Sequence, residues 1–232
     1  MTVAAVILVG SAANALADAE GTPAVRRIAD AAWAGGATPV VVVTDDPEGA
    51  VTAALTTAEV ALLAPPAPGS GPVERVAAGM RSAADLVGST TAAIIWPVRF
   101  AWADAETVTT LIAAHGDDRA AILRPAYDGV AGWPALVPLA VLDRVSALSP
   151  SFKPDEILDG LAAAGVAIRI LDTGDPGTTH DVSVPRSALP AFDGPPRPDD
   201  GVEREWGAAA ADQPDDAPPA GPRRLASFDP AP

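Results

Sequence analysis

The chain has no cysteine, two histidines and a single lysine, Lys153, in 232 residues. Without cysteine there is no disulfide, no thiol nucleophile and no zinc–thiolate site, and two histidines leave little for an imidazole metal cage. Basic residues are scarce: 15 Lys and Arg stand against 30 Asp and Glu, a formal net charge of −15. That balance argues against nucleic acid as a partner, because affinity for a phosphate backbone rests on clustered Lys and Arg. With one lysine, handling of phosphate falls to Arg, to backbone amides or to a metal. No uninterrupted apolar run approaches the roughly 18 residues of a membrane span, and the N-terminus lacks the basic segment of a secretory signal. A cytoplasmic protein with no membrane partner is expected. Aromatic residues are only 4% of the chain although apolar residues are 49%, so the core is expected to be built from Ala and Val on closely packed elements.

What is present begins at once. Val3 to Val9 is a continuous Val, Ile, Leu and Ala run that ends at Gly10 and Ser11, the pattern of a central parallel strand covered on both faces and followed by a loop of small residues. Ligands of such sheets bind beyond the carboxyl ends of the strands, where loop amides hold phosphate. A tight strand-to-helix turn wants Gly and Ser with or without a ligand.

Further along, Thr22 and Pro23 predict the cap and first residue of a helix over 24–34 that stops at Gly35 and Gly36. Pro39 to Val43 predicts a second strand, and Thr44-Asp45-Asp46-Pro47 opens a helix to about Thr56. A short strand is expected over 59–64, a Pro- and Gly-rich loop over 65–71, and a helix from Pro72 with Val73, Val76, Ala77 and Met80 on one face. Ala92 to Val98 predicts an interior strand, and Asp104 begins a helix with Val108, Leu111 and Ile112 inward. A strand over 120–123, helices to about Val145 and over 154–164, a strand over 166–171 and a short helix to Phe192 complete the folded part. From Asp193 the composition changes: nine of forty residues are Pro and nine are Asp or Glu, the mark of a disordered acidic tail. Trp206 and Arg223 to Phe228 are its only candidate contact points.

Four segments carry a family resemblance: AVILVGSAANALA; IIWPVRFAWADAETVTTLI; RPAYDGVAGWPALVPLAVLDRV; and DPGTTHDVSVPRSALPAF. In order and spacing they resemble the MobA-like nucleotidyltransferases, which transfer CMP or GMP to molybdopterin, and their relatives acting on sugar phosphates and cofactors. The third, like R-P-x-Y-x-G-x-x-G-H-P-x-L, is the most specific. The resemblance spans roughly residues 3 to 192. It implies a Rossmann-like three-layer α/β nucleotidyltransferase fold with a mostly parallel central sheet in residues 1–192, followed by the tail in 193–232.

The departures fall on the chemistry. The family's first loop has a second glycine where this chain has Ser11 and an arginine where it has Ala15, and no lysine follows before the helix. The family's magnesium-binding Asp aligns with Arg99, its G-H-P histidine with Trp133. Of the closing acidic cluster Asp181 is kept, while Ser183 and Arg186 stand at two acidic positions. A hard divalent cation needs carboxylate oxygens, and a guanidinium repels it. The resemblance thus implies a nucleotide site at Gly10, Ser11, Arg99, Gly132 and Pro134, with Asp181 as the remaining metal ligand. No catalytic residue carries over. Arg99 either binds phosphate in the metal's stead or pairs with Asp104 or Glu106.

Two functions follow. One is a catalytically degenerate relative acting as a binding, regulatory or partner subunit, with CTP or GTP or a protein as partner. The other is an active magnesium-dependent transferase moving CMP or GMP to a cofactor or sugar-phosphate acceptor. Trp102 and Trp133 serve either as interface anchors in a partner subunit or as core filling. Thr173 to Gly177 reads as a turn first and a ligand loop second.

Overall fold

The computed structural model describes residues 2–192 and 194; the expected tail, with Trp206 and Arg223 to Phe228, otherwise lies outside the described residues. In chain order these form β1 (Thr2–Leu8), α1 (Ala12–Ala15), β2 (Asp18–Ala19), β3 (Thr22–Pro23), α2 (Ala24–Ala34), β4 (Val40–Val43), α3 (Ala50–Ala54), β5 (Ala61–Leu63), α4 (Pro72–Leu86), β6 (Thr90–Pro97), α5 (Ala105–Asp117), β7 (Ile122–Tyr127), β8 (Val130–Ala131), β9 (Ala135–Pro138), α6 (Leu142–Ser146), α7 (Pro154–Ala163) and β10 (Ile168–Asp172). The main sheet runs β10-β7-β9-β6-β1-β4-β5, with β8 paired to β7. Neighbours are parallel except β9, which is antiparallel to both β6 and β7, and β8, antiparallel to β7. This is the expected α/β fold with a mostly parallel central sheet.

Every residue of β4 and all but the first of β1 are buried, as continuous β-branched runs in a doubly covered sheet require. Helices α4, α6 and α7 pack together on one face, and α2 and α5 pack together on the other. The inward stripe of α4, Val73, Val76, Ala77 and Met80, is fully covered. Where a large filler is needed the chain uses tryptophan: Trp96, Trp102 and Trp133 are each no more than 2% exposed. Trp102 and Trp133 are therefore core residues and not surface anchors. Among the described residues no helix is long and apolar enough to cross a membrane.

Two local expectations are corrected, and one strand is added. Thr22 does not cap α2; Thr22–Pro23 pairs with Asp18–Ala19 around Glu20 and Gly21, both at positive φ. That is the geometry of a tight two-residue hairpin, which holds Thr22 extended and delays the helix to Ala24. The segment Ala135 to Pro138 is a strand, because its position between two others overrides its proline flanks. The helix expected before Phe192 is reduced to one 3-10 turn at Arg186–Ala188.

Candidate functional site

Chain order reverses at β1. The strands β4 and β5 extend the sheet to one side of it, and the chain then returns to lay β6 on the other. Beyond the carboxyl ends of strands that part in this way, α/β sheets form their ligand crevices. A cleft of about 430 Å³ opens there, floored by Leu8, Val9, Pro97 and Val98 and rimmed by polar groups from four segments: Gly10 and Asn14 after β1, Ser70 and Arg75 around the start of α4, Arg99 after β6, and Lys153 and Asp155 at the start of α7.

Two observations explain how these segments meet. Arg75 donates through Nε to the Ser70 carbonyl at 2.9 Å and through Nη1 to the Val9 carbonyl at 2.8 Å, tying the end of β1 to the loop before α4. That loop lies against the one before α7: a Cβ on Gly71 would stand 2.2 Å from the Pro150 carbonyl oxygen, so only glycine allows the approach.

The cleft's charge opposes that of the whole chain. Three cations, Arg75, Arg99 and Lys153, and one carboxylate, Asp155, line it, a balance of 3 − 1 = +2 in a protein of net −15. Cations gathered in a concave, partly apolar site form an anion-binding surface. Asp155 is shared. Its Oδ1 accepts from the Trp133 indole at 3.1 Å and from Arg124 at 3.2 Å, and its Oδ2 stands 3.8 Å from Arg99. Arg124 is only 13% exposed, whereas Arg99 and Asp155 are each half exposed. The Arg99 contact is the loosest of the three and, at that exposure, contributes at most about 1 kcal/mol. The Arg99 guanidinium also lies 4.7 Å from the Phe100 ring, Phe100 stacks on Trp133, and Arg124 lies over the other side of the cluster at 5.6 Å from Trp133.

Of the residues expected at a nucleotide site, Gly10 and Arg99 line the cleft. A Cβ on Gly10 would meet nothing within 4 Å, so neither packing nor backbone conformation demands glycine there. Ser11 caps α1, its hydroxyl accepting the Asn14 N–H at 3.3 Å. Gly132 and Pro134 are buried away from the cleft lining. Gly132 donates to the Pro125 carbonyl, accepts from Arg124, and allows the Thr178 carbonyl to come within 2.2 Å of where a Cβ would be. The acidic partner of Arg99 is Asp155, not Asp104 or Glu106; Asp104 is held by Arg27 at 3.2 Å and Arg186 at 2.9 Å.

Asp181 stands beside Arg99. The Val182 N–H donates to the Arg99 carbonyl at 2.7 Å, and the Asp181 carboxylate accepts from the Ser183 hydroxyl and N–H. The Ser183 hydroxyl, the Ser183 N–H and the nearby Arg99 charge hold its carboxyl below the usual carboxylate value. Magnesium is a poor fit to these residues. It takes carboxylate oxygens in octahedral geometry, and the charged group beside Asp181 at the cleft is the Arg99 guanidinium. Among the described residues no three His, Cys, Asp or Glu are arranged to hold a metal ion.

The Thr173 to Gly177 turn is structural. Asp175, fully buried, accepts from the Asp104 N–H and the Thr107 hydroxyl at the start of α5 and from the Gly177 N–H. Burial pushes its carboxyl above the ordinary value despite those bonds. Sequence reasoning missed Asn14, Ser70, Arg75, Lys153 and Asp155. Lys153, the chain's sole lysine, was the one visible signal.

The family model of the MobA-like NTP transferase domain matches residues 9–164, about two thirds of the chain. No curated protein sequence matches it. Among solved structures, a nucleotidyl transferase from Methanothermobacter thermautotroptrophicus superposes with a TM-score of 0.59 at 14% identity, over 72% of this chain and 85% of its own. CMP:2-keto-3-deoxy-manno-octonic acid synthetase complexed with CTP gives 0.57 at 17% identity, over 74% and 90%. The 2-C-methyl-D-erythritol 4-phosphate cytidylyltransferase from Thermus thermophilus gives 0.56 at 16%, over 78% and 92%. At such identities the likeness carries the fold.

Proposed function

This chain belongs to the MobA-like NTP transferase domain family, and from that premise we propose that it binds a nucleotide, CTP or GTP, without the ordinary magnesium-dependent transfer chemistry and acts as a binding, regulatory or partner subunit. The observation that carries this reading is the Arg99 guanidinium lining the cleft; the resemblance read from the sequence sets it where the family has its metal-binding Asp. Magnesium bridging the phosphates supplies much of the catalysis in nucleotidyl transfer. Here Asp155, the carboxylate among the described residues that line the cleft, is engaged by Arg124, Trp133 and Arg99. We assign Gly10 and Arg99 to the nucleotide, with Ser11 shaping the loop through its cap. Gly132 and Pro134 act at one remove, by seating Trp133 against Asp155. Asp181 is the carboxylate left to meet a metal arriving with the nucleotide.

The test is calorimetric titration with CTP and GTP, with and without magnesium, beside the Arg99→Asp variant and an assay of pyrophosphate release. The expected result is binding by the natural protein that magnesium does not strengthen, no transfer, and metal-dependent binding gained by the variant. Magnesium-dependent binding and pyrophosphate release by the natural protein would overturn the reading and establish an active transferase instead.

A further inference from the structure

We infer that Arg99 and Lys153, with Arg75 behind them, form a metal-independent clamp for an oligophosphate of at least two phosphate groups, in which ligand phosphate displaces Asp155 from Arg99. This rests on the reading that the cleft is the nucleotide site. It goes further by naming the groups that take over the metal's charge and by drawing them from parts of the chain that the first loop does not include.

The three cations come from three different segments: Arg75 from the first turn of α4, Arg99 from the turn after β6, Lys153 from the residue before α7. They differ in how firmly they are held. Arg75 is fixed by two carbonyls, Lys153 is exposed, and Arg99 is half exposed, resting on the Phe100 ring with its ion-pair contact to Asp155 at 3.8 Å and Asp181 nearby. A fixed cation preorganises the base of the cleft, while two held less firmly close on the ligand. Three cations around a space of this size exceed what one phosphate needs to be neutralised. The exchange at Arg99 is favoured because Asp155 does not become unpaired. When Arg99 turns to phosphate, Asp155 keeps the Trp133 indole and Arg124, its two shorter contacts. A guanidinium meets phosphate bidentately, a better geometry than the 3.8 Å contact it leaves.

One consequence is an inverted metal response. Magnesium chelated by the oligophosphate reduces the charge that the clamp sees, so the metal weakens binding instead of promoting it.

Because Lys153 is the only lysine, its acylation rate, read by peptide mass spectrometry, reports directly on the clamp. The probes are inorganic pyrophosphate and CMP, each with EDTA and with excess magnesium. The expected result is that pyrophosphate in EDTA slows acylation of Lys153 severalfold, more than CMP does, and that magnesium reduces this protection. Calorimetry of Arg99→Gln and Lys153→Gln should show pyrophosphate binding weakened about tenfold or more. Both residues are at the surface, so the variants are expected to fold, which circular dichroism checks. Asp155→Asn, which keeps an oxygen for Trp133 but removes the competing charge, should tighten binding. Weaker binding by Asp155→Asn would overturn the exchange, and protection by CMP equal to that by pyrophosphate would overturn the two-phosphate requirement. Absence of protection in all conditions, with metal-independent CTP or GTP binding intact, would overturn the clamp alone. Protection only with magnesium would overturn both the clamp and the function proposed above.

Discussion

Replacing Asp175 by Ala removes the acceptor for three buried or partly buried donors: the Asp104 N–H at 2.9 Å, the Thr107 hydroxyl at 2.7 Å and the Gly177 N–H at 2.8 Å. The hydroxyl can turn to a helix carbonyl, as threonines in helices do, so two backbone amides are left without partners. Each such loss costs about 1–3 kcal/mol. The carboxylate's own burial, the main cause of its raised pKa, is relieved and offsets part of this. The net expectation is about 2–4 kcal/mol, a large part of the roughly 5–15 kcal/mol that holds a domain folded. Urea unfolding followed by the fluorescence of the buried tryptophans should show the midpoint falling by about 1–2 M. Asp175→Asn separates hydrogen bonding from charge. Its oxygen serves the two donors that share Oδ2 while its amide faces the Gly177 N–H, so a loss of about 1–2 kcal/mol is expected. A change below about 0.5 kcal/mol for Ala, or equal losses for Ala and Asn, would refute the role given to this carboxylate.

Other outcomes follow from single contacts. His115 is fully buried, its Nε2 meets the Thr91 hydroxyl at 3.2 Å, and its Nδ1 has no partner among the described residues. Burial holds its pKa below the ordinary 6.5. The unfolded chain therefore binds the proton more readily, and stability should fall as pH drops below 6.5, with a slope of at most about 1.4 kcal/mol per pH unit. In His115→Leu that part of the slope should vanish from urea titrations at pH 7 and 5.5; an unchanged slope would assign it to other groups. Gly177→Ala places a Cβ 2.1 Å from the Trp102 carbonyl oxygen. Backbone on both sides must move, and thermal melts should show a loss of about 2 kcal/mol or more; a neutral melt would mean that the Thr173 to Gly177 turn packs loosely against Trp102.

The fold was largely legible because its interior strands announce themselves. Uniform burial of β1 and β4 leaves no polar alternation, and the 3.6-residue stripe of α4 needs no context. The antiparallel strand β9 was not legible: four residues that follow Pro134 and end in Pro138 look like loop, and only the open edges of β6 and β7 make them a strand. The site was half legible. Gly10 and Arg99 lie next to strand ends, where position in sequence gives position in space. Lys153 and Asp155 reach the cleft only because α7 packs beside α4, a relation between segments some eighty residues apart. The start of α5 holds a similar lesson: Asp104 is the residue that looks like its cap, yet the carboxylate that serves it is Asp175, 71 residues later.

The reversed strand β9 also divides the sheet into two halves that draw on separate stretches of the chain. The strands β6, β1, β4 and β5 draw on residues 2–97 alone and pair side by side, so this half of the sheet is available while the rest of the chain is still unfolded or unsynthesised. In the main sheet, β7 reaches β6 only through β9, which follows it in the chain. Residues 122–172 thus add β9, β7 and β10 to the edge of β6, with β10 outermost. Amide exchange should register the same seam, with β7 and β10 opening together at lower free energy than β1, β4 and β6. The cleft's deep wall thus belongs to the half built from residues 2–97, while Lys153 and Asp155 come from the stretch that builds the other.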